Sequence, residues 1–218
     1  FMTQRFNVHP VNPQRRLIQQ SVEILRRDGL IVYPTDSCYA FGWHLGDHES
    51  AGRLQRIRDT GKDHNFTLVC RDLSEIAKYA RVENWCYRLL RAHTPGPYTF
   101  ILKATREVPR RLQNPKRQTI GIRVPAHPVP LALLEALGEP MMSSTLLLPG
   151  QDLPLSDPDE IADALSGRID LLIDSGSCGI EPTRKREPTT RRTTWSSTTS
   201  GSSTRSAARS ARSSFRPN

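Results

Sequence analysis

The stretch IVYPTDSCYAFG, Ile31 to Gly42, continues an apolar run that starts at Leu30 and breaks at Pro34 into two hydroxyls and a carboxylate. A short apolar run closed by proline reads as a buried strand over 30–34, because proline fixes φ and ends ladder pairing. Thr35, Asp36 and Ser37 then project beyond the strand's carboxyl end, where open α/β sheets bind ligands. The same residues also suit a plain turn, with Asp36 as a cap and Thr35 as a strand-end hydroxyl. Spacing alone leaves both readings open.

Working outward from this strand, helical and strand patterns alternate. Residues 13–29 predict a helix with Leu17, Ile18, Val22 and Leu25 on one stripe and Gly29 at its end. Further helices are predicted over Glu49–Arg58, Leu73–Tyr79, Asn84–His93 and Val129–Leu137, and from the Asp157 cap through Leu165. Strands are predicted at Phe66–Cys70, Tyr98–Lys103, Thr119–Val124, within 140–148 and at Asp170–Asp174. Such alternation specifies the α/β class, a twisted sheet covered by helices.

Charge is unevenly distributed. The chain has 218 residues and a net charge of +9, but residues 184–218 hold nine of its 31 Lys and Arg and one of its 22 Asp and Glu. Residues 1–183 are therefore close to neutral, which weakens any nucleic-acid argument made from global charge. The chain divides into a folded domain, 1–183, and a Ser/Thr/Arg-rich tail, 184–218, too poor in apolar residues to offset ordering entropy. The four cysteines have no zinc-site spacing, which excludes a protein-only metal site and suits reduced thiols in the cytoplasm. No apolar run approaches the roughly 20 residues of a membrane span.

Three later segments carry candidate chemistry. TPGPYTF (Thr94–Phe100) is a rigid turn feeding a strand, and IGIRVPAHP (Ile120–Pro128) puts Arg123 at a strand end just before a proline. A guanidinium there suits a carboxylate or phosphate, and His127 can reach the same ligand or serve as a loop histidine. MMSSTLLLPG (Met141–Gly150) clusters Ser143, Ser144 and Thr145 where an apolar run meets a turn. No P-loop, GxSxG, HExxH or GxGxxG is present.

In order, YPTDS (33–37), PGPYT (95–99), GIRVPAHP (121–128) and DLLIDSG (170–176) resemble the YrdC/YciO family, whose central members are the threonylcarbamoyl-AMP synthases. The resemblance covers roughly residues 15–183 and is most similar to the YciO branch. It implies a YrdC-like fold of the α/β-knot type, a twisted, mostly parallel or mixed sheet with flanking helices and a concave basic cavity. It also implies ATP with Mg²⁺ as nucleotide, threonine and bicarbonate as co-substrates, and a link to tRNA modification. Double-stranded RNA is a further partner that the family implies. Carried over by position, the ligand-binding residues are Thr35, Ser37, Arg58, Lys62, Arg123, Ser143 and Thr145.

Two motifs depart from the synthase pattern. Its Lys-x-Arg falls here on Arg58 and Thr60, within IRDTGKDHNFTL, and its Ser-x-Asn falls on Thr145 and Leu147. A basic stretch holds Lys103, Arg106, Arg110, Arg111, Lys116 and Arg117, opposed only by Glu107, and these six are the expected RNA- or phosphate-binding residues if the loop reaches the cavity rim. The expected alternative to synthase-type chemistry is a non-catalytic RNA-binding or ribosome-associated module. Beyond 183 the family's Thr-Val-Val-Asp strand is replaced by the Ser/Thr/Arg tract. A one-base shift of the codon choice ACG TGG TCG TCG ACG ACC TC for Thr194–Ser200 restores Val-Val-Val-Asp-Asp-Leu, so a reading-frame slip near Thr190 is a second expectation for the tail.

Overall fold

The computed structural model describes residues 2–59, 66–114, 116–178 and 184–186. The stretch around Pro34 builds not one strand but a hairpin. Strand β2 (Ile31–Tyr33) turns through 34–39 and returns as β3 (Ala40–His44), antiparallel, with Val32 opposite Phe41. Before it come β1 (Gln4–Asn7) and α1 (Arg15–Arg26). After it come α2 (Glu49–Arg58), β4 (Thr67–Val69), α3 (Leu73–Tyr79), α4 (Asn84–His93), β5 (Tyr98–Lys103) and β6 (Thr119–Arg123). The chain continues through α5 (Pro128–Leu137), β7 (Met141–Thr145), α6 (Pro158–Ala164), β8 (Leu171–Asp174) and β9 (Arg184–Arg186).

Among the described residues these strands form one sheet in the order β1-β8-β2-β3-β7-β4-β6-β5-β9. The sheet is the mixed form of the expected α/β architecture. β1–β8, β8–β2, β4–β6 and β5–β9 are parallel, whereas β2–β3, β3–β7, β7–β4 and β6–β5 are antiparallel. β9 lies at the start of the tract read as tail, so the sheet reaches three residues past the boundary expected at 183.

Helices cover both faces. α1 and α5 bury Val22, Leu25, Leu133 and Leu134 against Ile31, Tyr33, Val69 and Met141. On the other face α2, α3, α4 and α6 supply Leu54, Ile57, Ile76, Leu90 and Ile161 to a larger core with Val32, Phe41, Trp43, Leu68, Phe100 and Ile122. The period-2 alternation along each strand produces this partition: Ile31 and Tyr33 face one way and Val32 the other. α1 closes because the Gly29 amide donates to the Ile24 carbonyl at 3.0 Å, where a Cβ would lie 2.7 Å from that oxygen. Asp157 caps α6 by accepting from the Asp159 and Glu160 amides, as its position before a proline predicts.

β1 and β3 are absent from the sequence reading. β1 is an edge strand with mostly exposed side chains and no buried alternation to reveal it. β3 hides behind Gly42, which interrupts its apolar pattern for a steric reason. A Cβ at 42 would lie 2.9 Å from the Tyr33 ring. Gly42→Ala therefore displaces a fully buried ring, and a urea midpoint should report a loss of about 1–3 kcal/mol. An unchanged midpoint contradicts the packing described.

Candidate functional site

Register places a row of small and polar side chains on the α1/α5 face. Gly42 stands opposite Ser143, Ser143 opposite Thr67, and Thr67 opposite Gly121. The next positions of the same face bring Val69 opposite Arg123, and Ala40 opposite both Tyr33 and Thr145. Over these strands the apolar face gives way to hydroxyls, and the sheet carries a cavity lined by Thr35, Thr67, Thr99, Arg123, Ser143 and Thr145, among others. Gly121 keeps its floor low, since a Cβ there would come within 3.1 Å of both Thr67 Oγ1 and Thr99 Cγ2.

The roof is the turn after β2. It contributes Thr35 and Cys38 to the lining, together with the strand residues Thr67, Thr99 and Ser143. Thr35 shapes this turn: its Oγ1 donates to the Cys38 carbonyl at 2.6 Å and accepts from the Ser37 and Cys38 amides. Asp36 and Ser37 face Arg123 instead. The Arg123 guanidinium, on a residue only 8% exposed, donates from Nη2 to Asp36 Oδ1 and to Ser37 Oγ, the latter at 2.9 Å. Asp36 Oδ2 is buried with no hydrogen-bond partner among the described residues. The cation of the site is thus fixed by a carboxylate from a turn 87 positions away in sequence.

TPGPY acts as the second clamp. The Thr94–Pro95 peptide is cis, and the Gly96 amide donates to the Val124 carbonyl at 2.9 Å, beside Arg123 and Pro125. Below, the Tyr33 hydroxyl meets Ser143 Oγ at 2.9 Å. The Tyr39 hydroxyl donates to the Gly176 carbonyl and accepts from the Ser175 amide, tying DLLIDSG to the turn.

Of the seven ligand residues expected from sequence, Thr35, Arg123, Ser143 and Thr145 line the cavity, and Ser37 lies behind Arg123. Lys62, like Thr60, falls outside the described residues. Arg58 reaches the site indirectly: from the end of α2 it donates to Ser144 Oγ and to the Leu147 carbonyl at 3.1 Å. Arg58 and Leu147, two of the four positions in the motifs that depart from the synthase pattern, are therefore joined through the Leu147 carbonyl. Burial lowers the Arg58 pKa. Thr67 and Thr99, which the sequence reading does not single out, also line the cavity, and Asp36 pairs with Arg123. Strand alternation signals the first two, because TFIL and TLV put Thr99 and Thr67 on the face opposite their buried apolar neighbours.

His127 does not line the cavity. Its Nδ1 accepts from the Val129 amide at 3.2 Å as the N-cap of α5, which requires the neutral ring. Burial lowers its pKa, and the Asp36 carboxylate works weakly the other way. The basic stretch between β5 and β6 does not reach the cavity rim. Its first member, Lys103, pairs with Thr119 at the far end of the hairpin from Arg123, and none of the six residues lines the cavity. Arg111 donates instead to the Gly46 carbonyl at 3.1 Å. Among the described residues no cluster of His, Cys, Asp or Glu could hold a metal ion, and no helix is long and apolar enough to cross a membrane.

The chain is thus a mixed α/β sheet with a hydroxyl-lined cavity, an Arg fixed by a turn carboxylate and a Pro-Gly-Pro turn bonded beside it. The chain belongs to the Sua5/YciO/YrdC family, whose model, described as telomere recombination, matches residues 23–184. It is 56% identical over 182 residues to the YciO protein of Escherichia coli K12, covering 84% of this chain and 88% of that protein. The E. coli YciO crystal structure superposes with a TM-score of 0.85 at 53% identity over 89% of this chain and 94% of the other. A threonylcarbamoyl-AMP synthase of Chromobacterium violaceum is 32% identical over 143 residues, 65% of this chain and 74% of the synthase. Pyrococcus abyssi Sua5 in complex with L-threonine shares the fold at a TM-score of 0.80 and 21% identity, over 88% of this chain and 56% of that one.

Burial holds four groups around the cavity protonated. The Tyr33 and Tyr39 hydroxyls are pushed up to about 12, and the Cys38 and Cys178 thiols to about 11. Their ordinary values are 10.0 and 9.0, so above about pH 9 the unfolded chain releases protons that the folded chain keeps. The stability these groups contribute is fully present below that pH and is lost as pH rises toward 11–12. Urea midpoints taken at pH 8, 9 and 10 should fall, and Cys38→Ala should flatten the fall, a two-unit shift being worth about 2.7 kcal/mol. A midpoint that rises across this range contradicts the assignment.

Proposed function

We propose that the cavity binds the anionic end of an amino acid and a nucleotide, and that the chain carries threonylcarbamoyl-AMP synthase-type chemistry. The observation that carries this reading is Arg123: a buried guanidinium, held in a fixed orientation by Asp36 and Ser37, facing hydroxyls of Thr67, Thr99 and Ser143. Family membership and the sequence likeness to a threonylcarbamoyl-AMP synthase support it. So does the L-threonine in the Sua5 complex, a protein that shares this fold.

The chemistry needs no covalent nucleophile. Threonine's amine adds to bicarbonate, giving a carbamate and water. A carbamate oxygen then attacks the α-phosphorus of ATP, forming threonylcarbamoyl-AMP as pyrophosphate leaves. The residues present can orient the carbamate and stabilise negative charge through Arg123 and preorganised hydroxyls. The lining among the described residues holds no carboxylate, so these residues fit a Mg²⁺ ion carried by the phosphates and not one held by protein ligands. The cavity holds only about 30 Å³, whereas small-molecule pockets span about 300–1,000 Å³. Binding of both substrates therefore requires the cavity to widen. Four free cysteines, three of them buried, accord with a reducing cytoplasm.

The test is pyrophosphate release with ATP, Mg²⁺, threonine and bicarbonate. Threonine-dependent release that falls about 10²-fold in Arg123→Ala is expected. Absence of release, with salt-sensitive binding of duplex RNA that survives Arg123→Ala, sinks the synthase reading in favour of an RNA-binding module.

A further inference from the structure

Beyond that reading, the basic loop builds a concave site of its own. Where β5 ends, Ala104 forms an isolated bridge to Ala80, the Arg81 amide donates to the Lys103 carbonyl and the Ala104 amide donates to the Gln118 carbonyl. The Thr105 amide donates to the Tyr79 carbonyl, so the end of α3, the end of β5 and the start of β6 are locked together. The loop that follows is anchored rather than loose. Val108 and Leu112 are 1% and 3% exposed in the larger core, and Gln113 Nε2 donates to the Val108 carbonyl at 2.7 Å. Asn114 Oδ1 accepts from the Lys116 and Arg117 amides.

These constraints leave a groove of about 660 Å³ between the α3–β5 junction and the loop, lined by Arg81, Arg106 and Arg110 together with the amide side chains of Gln113, Asn114 and Gln118. It shares no lining residue with the Arg123 cavity. Other arginines are ion-paired: Arg5 with Asp159 and Asp174, Arg53 with Asp170, Arg71 with Asp72, Arg123 with Asp36. Arg81, Arg106 and Arg110 have no ion-pair partner among the described residues, the lining has no carboxylate, and Glu107 stays out of it. Three guanidiniums brought by two segments, Arg81 from the chain after α3 and Arg106 and Arg110 from the β5–β6 loop, repel one another around one hollow unless an anion joins them. The forked geometry of the group suits phosphate oxygens.

We propose that this groove is a second site, which binds the phosphates of a nucleotide-sized ligand. Its volume falls in the range of small-molecule pockets, and no aromatic side chain lines it for base stacking.

Titration calorimetry of the full chain with inorganic tripolyphosphate at low salt tests the site. Arg106→Glu with Arg110→Glu should weaken the affinity at least about tenfold, Arg81→Ala should weaken it less, and the exposed α1 pair Arg15→Glu with Arg16→Glu should leave it unchanged. Arg123→Ala should leave this binding in place, which separates the result from the fate of the synthase reading. An unaltered urea midpoint certifies that each variant is folded. The proposal is overturned if tripolyphosphate does not bind, if the loop and α1 reversals weaken it equally, or if Arg123→Ala alone abolishes it. It is also overturned if only a duplex RNA of about 16 base pairs senses the loop reversal, which assigns the groove to RNA backbone.

Discussion

The hydrogen bonds that Arg123 makes to Asp36 and Ser37 hold two halves of the molecule in one geometry. Arg123 ends β6, in the half of the sheet built from β4, β6 and β5, while Asp36 and Ser37 belong to the turn between β2 and β3 in the other half. A buried ion pair of this kind contributes little net stability, because desolvation offsets its attraction, but breaking it from one side leaves a charge stranded. Its effect is specification. It fixes where the turn sits over the sheet, and with it the depth of the cavity, the position of Thr35 and the approach of TPGPY to Val124.

How much of this is legible in the sequence depends on what carried each feature. Helices α2, α3 and α4 and strand β5 are readable to the residue, because their apolar spacing is regular and their ends carry capping or breaking residues. β3 is not, because Gly42 yields its side-chain volume to Tyr33, a contact from another strand. Thr35, Arg123, Ser143 and Thr145 are found because each sits where an apolar run meets a polar residue. The division of roles in the turn is not legible. Thr35 spends its hydroxyl on the turn and Asp36 holds the cation, which depends on a long-range contact that local spacing does not encode.

Charge illustrates a related point. Residues 1–183 are near neutral, yet Arg81, Arg106 and Arg110, with no ion-pair partner among the described residues, gather at one end of the β5–β6 hairpin while a buried, compensated arginine stands at the other. Net charge describes neither place. The cation at the end of α2, Arg58, is likewise engaged by β7 and the segment after it, through Ser144 Oγ and the Leu147 carbonyl.

The sheet order has a consequence for how the chain comes to be folded. β2 pairs on one side with β3, a few residues downstream, and on the other with β8, and Asp170 just before β8 accepts from the Leu30 amide across 140 positions. At about 5–20 residues per second, the ribosome delivers that partner roughly 7–28 s after β2 has emerged. Through that interval one of the most apolar strands of the molecule has an open edge. The nascent hairpin is thus a temporary adhesive surface, and the late arrival of residues 171–174 sets the moment at which it is sealed.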